Sequence, residues 1–126
     1  MKTKILIIED NEQNMYMLTF LLESSDYEIL QAFNGPDGIK MAIERNPDII
    51  LLDIQLPEMD GYTVARNIRE KENLTKTPII AVTSYAMPGD REKVMEAGAT
   101  GYIEKPIDPD TFINQMNSFL PDELIK

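Results

Sequence analysis

Hydrophobic and polar positions along the chain fall into two patterns, short apolar runs and longer segments with helical spacing. Apolar runs rich in β-branched residues occupy residues 5–8, 48–52 and 78–82, and weaker runs occupy residues 27–32 and 101–104. Runs of this length predict β-strands. Residues 5–8 and residues 49–52 are apolar at every position, which is typical of central strands buried on both faces.

The longer segments carry apolar residues three and four positions apart and predict helices. In the first, over about residues 11–25, Met15, Leu18, Leu21 and Leu22 share one side. The others lie between Asn34-Gly35-Pro36 and Asn46-Pro47, over about residues 61–72, between Met87-Pro88-Gly89-Asp90 and Gly98, and between Asp108-Pro109 and Pro121. Asp108 is the expected N-cap of the last helix, which carries Phe112, Met116 and Phe119.

Strands that alternate with helices predict an α/β fold with a mostly parallel sheet and helices on both faces. In such sheets, ligands bind beyond the carboxyl ends of the strands. The 126 residues indicate one domain, with a core over about residues 4–120, a short tail over residues 121–126 and no output domain.

Composition narrows the possible functions. A formal net charge of −10 argues against nucleic-acid partners and anionic membrane surfaces. The chain has no Cys or His, so His-based catalysis and His-ligated zinc are excluded. No apolar stretch is long enough for a signal peptide or a membrane span, so the cytoplasm is the expected location.

Polar residues follow four of the five predicted strands, and they are Glu9 and Asp10, Asp53, Thr83 and Ser84, and Lys105. Three carboxylates at one sheet edge repel each other unless a cation lies between them. With no Cys or His available, oxygen ligands favour Mg²⁺, Mn²⁺ or Ca²⁺. Glu9 and Asp10 taken alone are equally well explained as caps of the first helix, and the third acid favours a metal.

Asp53 directly follows a buried apolar run, where a carboxylate nucleophile could form an acyl phosphate. A metal ion would neutralise the incoming phosphoryl group, and Lys105 and Thr83 could bind its remaining oxygens. Taken in isolation, Asp53 is better explained as a loop residue that starts a turn, and Lys105 as an ordinary solvated lysine. Pro106 is a candidate for a cis peptide bond.

Together, Glu9-Asp10, Asp53 within Leu-Leu-Asp-Ile-Gln-Leu-Pro-Glu-Met-Asp-Gly, Thr83 and Lys105-Pro106 resemble the receiver domain of bacterial two-component response regulators. The resemblance implies a flavodoxin-like (βα)5 fold with strand order 2-1-3-4-5. It also implies Mg²⁺ bound by Asp10, Asp53 and the backbone carbonyl of Gln55, with Glu9 acting through water and Mn²⁺ or Ca²⁺ as substitutes. Asp53 would accept a phosphoryl group from a histidine kinase or a histidine phosphotransfer protein.

The same resemblance implies a switch, in which Thr83, next to Ser84, moves toward the phosphate and Tyr102 turns inward. By spacing alone, Tyr102 is a half-buried sheet aromatic. Candidate docking residues are Asn11, Asn14 and Met15 for the kinase, and Tyr85 and Met87 for a downstream protein, although Met87 equally suits core packing. Ile-Glu-Asp-Asn-Glu and Ala-Met-Pro-Gly-Asp are similar to stand-alone regulators of cell polarity and division and to receivers of hybrid kinases.

Three alternatives remain. A haloacid-dehalogenase-like phosphatase would carry an acid–base Asp where Gln55 stands. A flavodoxin would place a Ser/Thr/Gly-rich phosphate loop where Glu9 and Asp10 would repel the FMN phosphate. The last is a receiver that only docks partners. The expectation is a non-enzymatic switch with self-phosphorylation and autodephosphorylation only, as a monomer or weak dimer.

Overall fold

The computed structural model describes residues 2–84 and 89–125, and in them five strands alternate with five helices. The strands are β1 (Lys4–Ile8), β2 (Glu28–Ala32), β3 (Ile49–Asp53), β4 (Ile79–Thr83) and β5 (Gly101–Glu104). The helices are α1 (Glu12–Ser24), α2 (Gly35–Arg45), α3 (Gly61–Arg69), α4 (Asp90–Glu96) and α5 (Phe112–Asn117). Short 3-10 turns occupy Glu72–Leu74 and Asp122–Leu124.

The sheet is parallel throughout and has the strand order β2-β1-β3-β4-β5. Ile5 pairs with Ile49 across β1 and β3, and Ile50 pairs with Ile79 across β3 and β4. Every residue of β3 and β4 is buried, which agrees with their interior positions in the sheet. The predicted fold class, the strand order and the central positions of β1 and β3 are therefore confirmed.

Helices cover both faces of the sheet, because successive strand side chains point to opposite sides. On one face, Met15 of α1 and Phe112 of α5 pack with Ile5 and Ile7. On the other face, the buried residues of α2, α3 and α4 pack with alternate strand residues; they include Ala42, Val64, Ile68, Val94, Leu6 and Ile8. This two-sided burial leaves the carboxyl edge of the sheet as the place where polar strand ends meet.

Side chains cap the first three helices at their amino ends. Asn11 Oδ1 accepts from Asn14 N–H at 2.9 Å, and Asn34 and Asp60 make the equivalent bonds for α2 and α3.

The predicted N-cap role of Asp108 is wrong, because α5 begins only at Phe112 and its N-cap position is Thr111. Asp108 Oδ1 instead accepts from Asp110 N–H at 2.9 Å and closes a turn ahead of the helix.

Candidate functional site

The carboxyl edge of the sheet brings together three buried polar side chains. Glu9 follows β1, Asp53 ends β3 and Thr83 ends β4, and these residues are 1%, 4% and 2% exposed. Lys105, directly after β5, lies half-buried beside them. The chain places these groups together because parallel strands all end at the same edge.

Lys105 joins two of the acids. Its ammonium lies 3.1 Å from Glu9 Oε1 and 3.3 Å from Asp53 Oδ2. Burial disfavours the ammonium, but the carboxylates of Asp53 and Glu9 outweigh that effect and raise the pKa of Lys105. The backbone N–H of Lys105 donates to the carbonyl of Thr83 at 2.7 Å. The Lys105–Pro106 peptide bond is cis, as the sequence analysis expects of Pro106.

Glu9 carries an unusual carboxyl group. Burial raises the pKa of Glu9 to about 7; the hydrogen bond from Asn11 N–H opposes this rise, and the neighbouring charge of Asp53 adds to it. Asn11 N–H donates to Glu9 Oε2 at 3.1 Å, so both oxygens of this carboxyl are in contact with hydrogen-bond donors. The Glu9 carboxyl therefore titrates near neutral pH.

The three acids form a group that suits a hard cation. Glu9, Asp10 and Asp53 each offer one carboxylate oxygen, and these oxygens lie within 4.8 Å of one another. Asp10 is exposed, so one side of the group is open to solvent. Clustered carboxylate oxygens next to open solvent are the ligands that Mg²⁺ takes, since this ion retains several waters.

The loop after β3 is held by its own backbone and by the loop after β4. Gln55 N–H donates to Asp53 Oδ1 at 3.0 Å. Gln55 Oε1 accepts from Ser84 N–H at 3.1 Å and from the Ser84 hydroxyl. Gly61 allows α3 to start directly against this loop, because a Cβ there would lie 2.8 Å from the carbonyl oxygen of Asp53. The Asp53 carboxylate is thus oriented from two sides, by Gln55 and by Lys105.

Tyr102 lies on the edge strand β5, where it pairs with Ala81 of β4. It is half-buried and packs against the core on the α2, α3 and α4 face. Burial raises the pKa of the Tyr102 hydroxyl, and the charges of Glu104 and Asp90 add to the rise. The half-buried sheet aromatic that spacing predicts is what the structure shows.

The candidate docking residues fare differently. Asn11 is exposed and caps α1, and Asn14 is half-buried on its first turn. The docking role of Met15 is wrong, because its side chain is only 2% exposed and belongs to the core under α1. Tyr85 and Met87 lie outside the described residues.

Sequence reasoning missed two aromatic side chains on the outer side of α1. Tyr16 is 72% exposed and Phe20 is 62% exposed. They stand four residues apart, which places them on the same side of a helix. The signal was present in the sequence, since neither residue belongs to the apolar stripe that contains Met15 and Leu18.

Within residues 2–84 and 89–125, no helix is both long enough and apolar enough to cross a membrane.

Comparison with known proteins identifies the family. The response regulator receiver domain matches residues 5–117. The chain is 42% identical over 122 residues to the polar-differentiation response regulator DivK of Brucella anthropi, an alignment that covers 97% of this chain and 99% of that protein.

Solved structures agree with this match. The chemotaxis response regulator CheY4 of Vibrio cholerae superposes with a TM-score of 0.91 at 26% identity, over 95% of this chain and all (100%) of that one. The receiver domain of the sensor histidine kinase PA1611 of Pseudomonas aeruginosa, solved with a magnesium ion in its active-site cleft, has a TM-score of 0.86 at 34% identity. That alignment covers 94% of this chain and 98% of the other. The chain therefore belongs to the response-regulator receiver family of two-component signalling proteins.

Proposed function

We propose that this receiver is a phosphorylation switch whose acceptor is Asp53. The observation that carries the proposal is the state of the Asp53 carboxylate, which is buried at the end of β3 with one oxygen bonded to Gln55 N–H and the other beside Lys105. A nucleophile held in one orientation reacts faster than a freely rotating one. The carboxylate oxygens of Glu9, Asp10 and Asp53 lie close enough together to bind a divalent cation.

The reaction is transfer of a phosphoryl group from a phosphohistidine of a kinase or phosphotransfer protein. An oxygen of Asp53 attacks phosphorus, the P–N bond to the imidazole breaks, and the imidazole nitrogen keeps the electron pair. Asp10, Asp53 and the backbone carbonyl of Gln55 are the proposed Mg²⁺ ligands, with Glu9 acting through water. Bound Mg²⁺ supplies charge neutralisation for the phosphoryl oxygens.

Lys105 supplies the second positive charge. Its ammonium already lies 3.3 Å from Asp53 Oδ2, where it can bind an oxygen of the group that Asp53 accepts. Thr83 and Ser84, at the end of β4, are the proposed hydroxyl contacts for another oxygen. Tyr102 is the proposed partner in the resulting shift, because it packs on the core face that α4 also contacts.

Docking of the phosphodonor is proposed at the amino end of α1. Asn11 and Asn14 lie there, next to Glu9 and Asp10, and the exposed Tyr16 and Phe20 continue the same helix outward. Exposed aromatic side chains are common anchors at protein interfaces. A downstream protein is the proposed reader of the phosphorylated form.

Intact mass spectrometry tests the acceptor. The chain is incubated with acetyl phosphate, with Mg²⁺ or with EDTA, beside Asp53→Asn and the control Asp110→Asn, which alters an exposed loop carboxylate. We expect one phosphoryl adduct in the wild type and in Asp110→Asn with Mg²⁺, and none in Asp53→Asn or in EDTA. Labelling of a folded Asp53→Asn would remove Asp53 as the acceptor.

A second assay separates the switch from a phosphatase. We expect no repeated turnover of p-nitrophenyl phosphate, because the acceptor is buried and Gln55 offers no acid–base group two residues after it. Steady release of product that depends on Asp53 would favour the phosphatase instead.

A further inference from the structure

The amino end of α2 carries the dipeptide Asn34-Gly35, in which an amide side chain is followed by a residue without a Cβ. An asparagine side chain reacts most readily with the backbone that follows it when the next residue is glycine, because glycine leaves its nitrogen unhindered and its dihedrals free. The helix does not occupy that nitrogen, since the first amides of a helix have no intrahelical partner. The dipeptide therefore contains both groups of an intramolecular reaction, an amide carbon and a backbone nitrogen.

Asp37 holds the side chain of Asn34 by both of its polar atoms. Asn34 Oδ1 accepts from Asp37 N–H at 2.8 Å, and Asn34 Nδ2 donates to Asp37 Oδ2 at 3.0 Å. The first bond is the N-cap of α2, and the second adds a charge-assisted hydrogen bond to it. The amide carbon of Asn34 is thus fixed in the folded chain by two bonds to one residue.

Packing holds Gly35. It is buried, and a Cβ at this position would lie 2.9 Å from Val64 Cγ2 and 3.2 Å from the Cβ and Sδ atoms of Met59. Contacts this close leave no room for the backbone of Gly35 to turn toward the side chain of Asn34 while α2 lies on α3. The second reacting group is therefore also fixed in the folded chain.

We propose that Asn34-Gly35 is a site of spontaneous deamidation, which the cap from Asp37 and the packing of Gly35 suppress until the first turn of α2 opens. The backbone nitrogen of Gly35 gives up its proton and attacks Cγ of Asn34. The bond from Cγ to Nδ2 breaks, and the released nitrogen takes up a proton and leaves as ammonia. Water then opens the cyclic imide at either carbonyl, which leaves aspartate or isoaspartate. The proposed phosphorylation of Asp53 plays no part in this reaction.

The two products fit the fold less well than the amide does. Aspartate keeps an acceptor for Asp37 N–H, but it places a carboxylate oxygen where Asn34 Nδ2 donated to Asp37 Oδ2, so two carboxylates face each other. Isoaspartate lengthens the backbone by one carbon directly before Gly35, where Val64 and Met59 leave no room for it. We expect the isoaspartyl chain to lose the cap, and the amino end of α2 to separate from the loop that contains Met59.

Peptide mapping by mass spectrometry tests the site. The wild-type chain is incubated at mildly alkaline pH, folded or in denaturing guanidinium chloride, and the conversion of amide to acid is followed at Asn34. We expect conversion in denaturant, and conversion at least roughly tenfold slower in the folded chain. Asn46 is the internal control, because Pro47 after it has no N–H to react. No conversion at Asn34 in denaturant, or equal rates in the two conditions, would overturn the proposal.

Asp37→Ala tests the protection by the cap. It removes the acceptor of the Asn34 Nδ2 bond, and Asp37 is exposed, so the core is untouched. We expect conversion of Asn34 to accelerate roughly fivefold in the folded chain and to change less than about twofold in denaturant. The matched control is Glu44→Ala, which removes an exposed carboxylate from the other end of α2. Equal rates in the two folded variants would contradict protection by Asp37.

Amide hydrogen exchange measured by NMR tests the release of α2. The amide of Gly38 bonds to the carbonyl of Asn34 at 3.0 Å, and at the other end of α2 the amide of Asn46 bonds to the carbonyl of Ala42 at 3.2 Å. In the purified isoaspartyl chain we expect exchange at Gly38 to accelerate at least roughly tenfold, and exchange at Asn46 to change less than about twofold. Unchanged exchange at Gly38, or an equal acceleration at both amides, would overturn the release of this end of α2.

Discussion

The ammonium of Lys105 lies 3.1 Å from Oε1 of Glu9, although these residues follow β5 and β1, which are separated in the sheet by β3 and β4. The lysine therefore reaches across two strands, and on the way it passes Asp53 at the end of β3. In the resting chain Lys105 neutralises the same carboxylates that a divalent cation would bind. We therefore expect metal affinity, phosphorylation and pH dependence to be linked through this one side chain.

The stability of the metal-free chain should fall as pH rises from about 4.5 to about 7. The pKa of Glu9 is raised from 4.5 to about 7 in the folded chain, so folding favours the protonated form. As pH rises above about 4.5 the unfolded chain loses this proton first, and the free energy of unfolding falls by up to about 3 kcal/mol before levelling off above pH 7. Urea denaturation in EDTA at pH 5 and pH 8 measures the change.

Glu9→Gln is the control for this pH effect, because the amide does not titrate. Wild type should be less stable relative to Glu9→Gln at pH 8 than at pH 5. Parallel pH profiles for the two proteins would show that Glu9 titrates at its ordinary value.

Lys105→Met should have opposite effects on metal binding and on phosphorylation. Removing the ammonium leaves Glu9 and Asp53 without their cation, which should lower the free energy of unfolding in EDTA by about 3 kcal/mol. The same change should tighten Mg²⁺ binding roughly tenfold, because a competing positive charge is lost. Phosphorylation by acetyl phosphate should nevertheless slow at saturating Mg²⁺.

Calorimetric titration measures Mg²⁺ affinity, and intact mass spectrometry measures the rate of phosphorylation. The matched control is Lys40→Met, which alters an exposed lysine of α2. Weaker Mg²⁺ binding in Lys105→Met would contradict the competition between the ammonium and the metal.

Asp10→Asn should weaken Mg²⁺ binding by tenfold or more, because it removes the exposed carboxylate of the acid group. Its effect on stability should be small, since the side chain is in solvent. Titration of Asp10→Asn and of Glu44→Gln, an exposed acid on the last turn of α2, separates a ligand from a general charge effect. Equal affinities of the two variants would rule out Asp10 as a ligand.

Phe20→Ala should slow phosphoryl transfer from a phosphorylated histidine domain and leave labelling by acetyl phosphate unchanged. The side chain is 62% exposed, so its removal costs little folding energy and removes contact area for a partner. Ile43→Ala, on the exposed side of α2, controls for the loss of surface apolar area. Equal transfer rates for both variants would place the donor elsewhere than on α1.

The order of strands and helices and the identity of the strand-end residues could be predicted from the sequence alone. Apolar runs such as residues 49–52 specify buried strands, and parallel strands necessarily end at one edge, so Glu9, Asp53, Thr83 and Lys105 had to lie close together. The local sequence pattern is sufficient to predict these features, because the alternation of side chains along a strand and the direction of the chain do not depend on distant contacts.

Tertiary structure alone decided which side of each element faces which neighbour. The apolar stripe of α1 already separates Met15 from Tyr16, but only the packing of α1 on the sheet determines that Met15 packs with Ile5 and Ile7. The hydrogen bonds of the Arg69 side chain, which join residues up to 31 positions apart, and the reach of Lys105 to Glu9 likewise depend on the assembled sheet. Long-range contacts are set by packing and leave no periodic trace in the chain, so no local pattern could have predicted them.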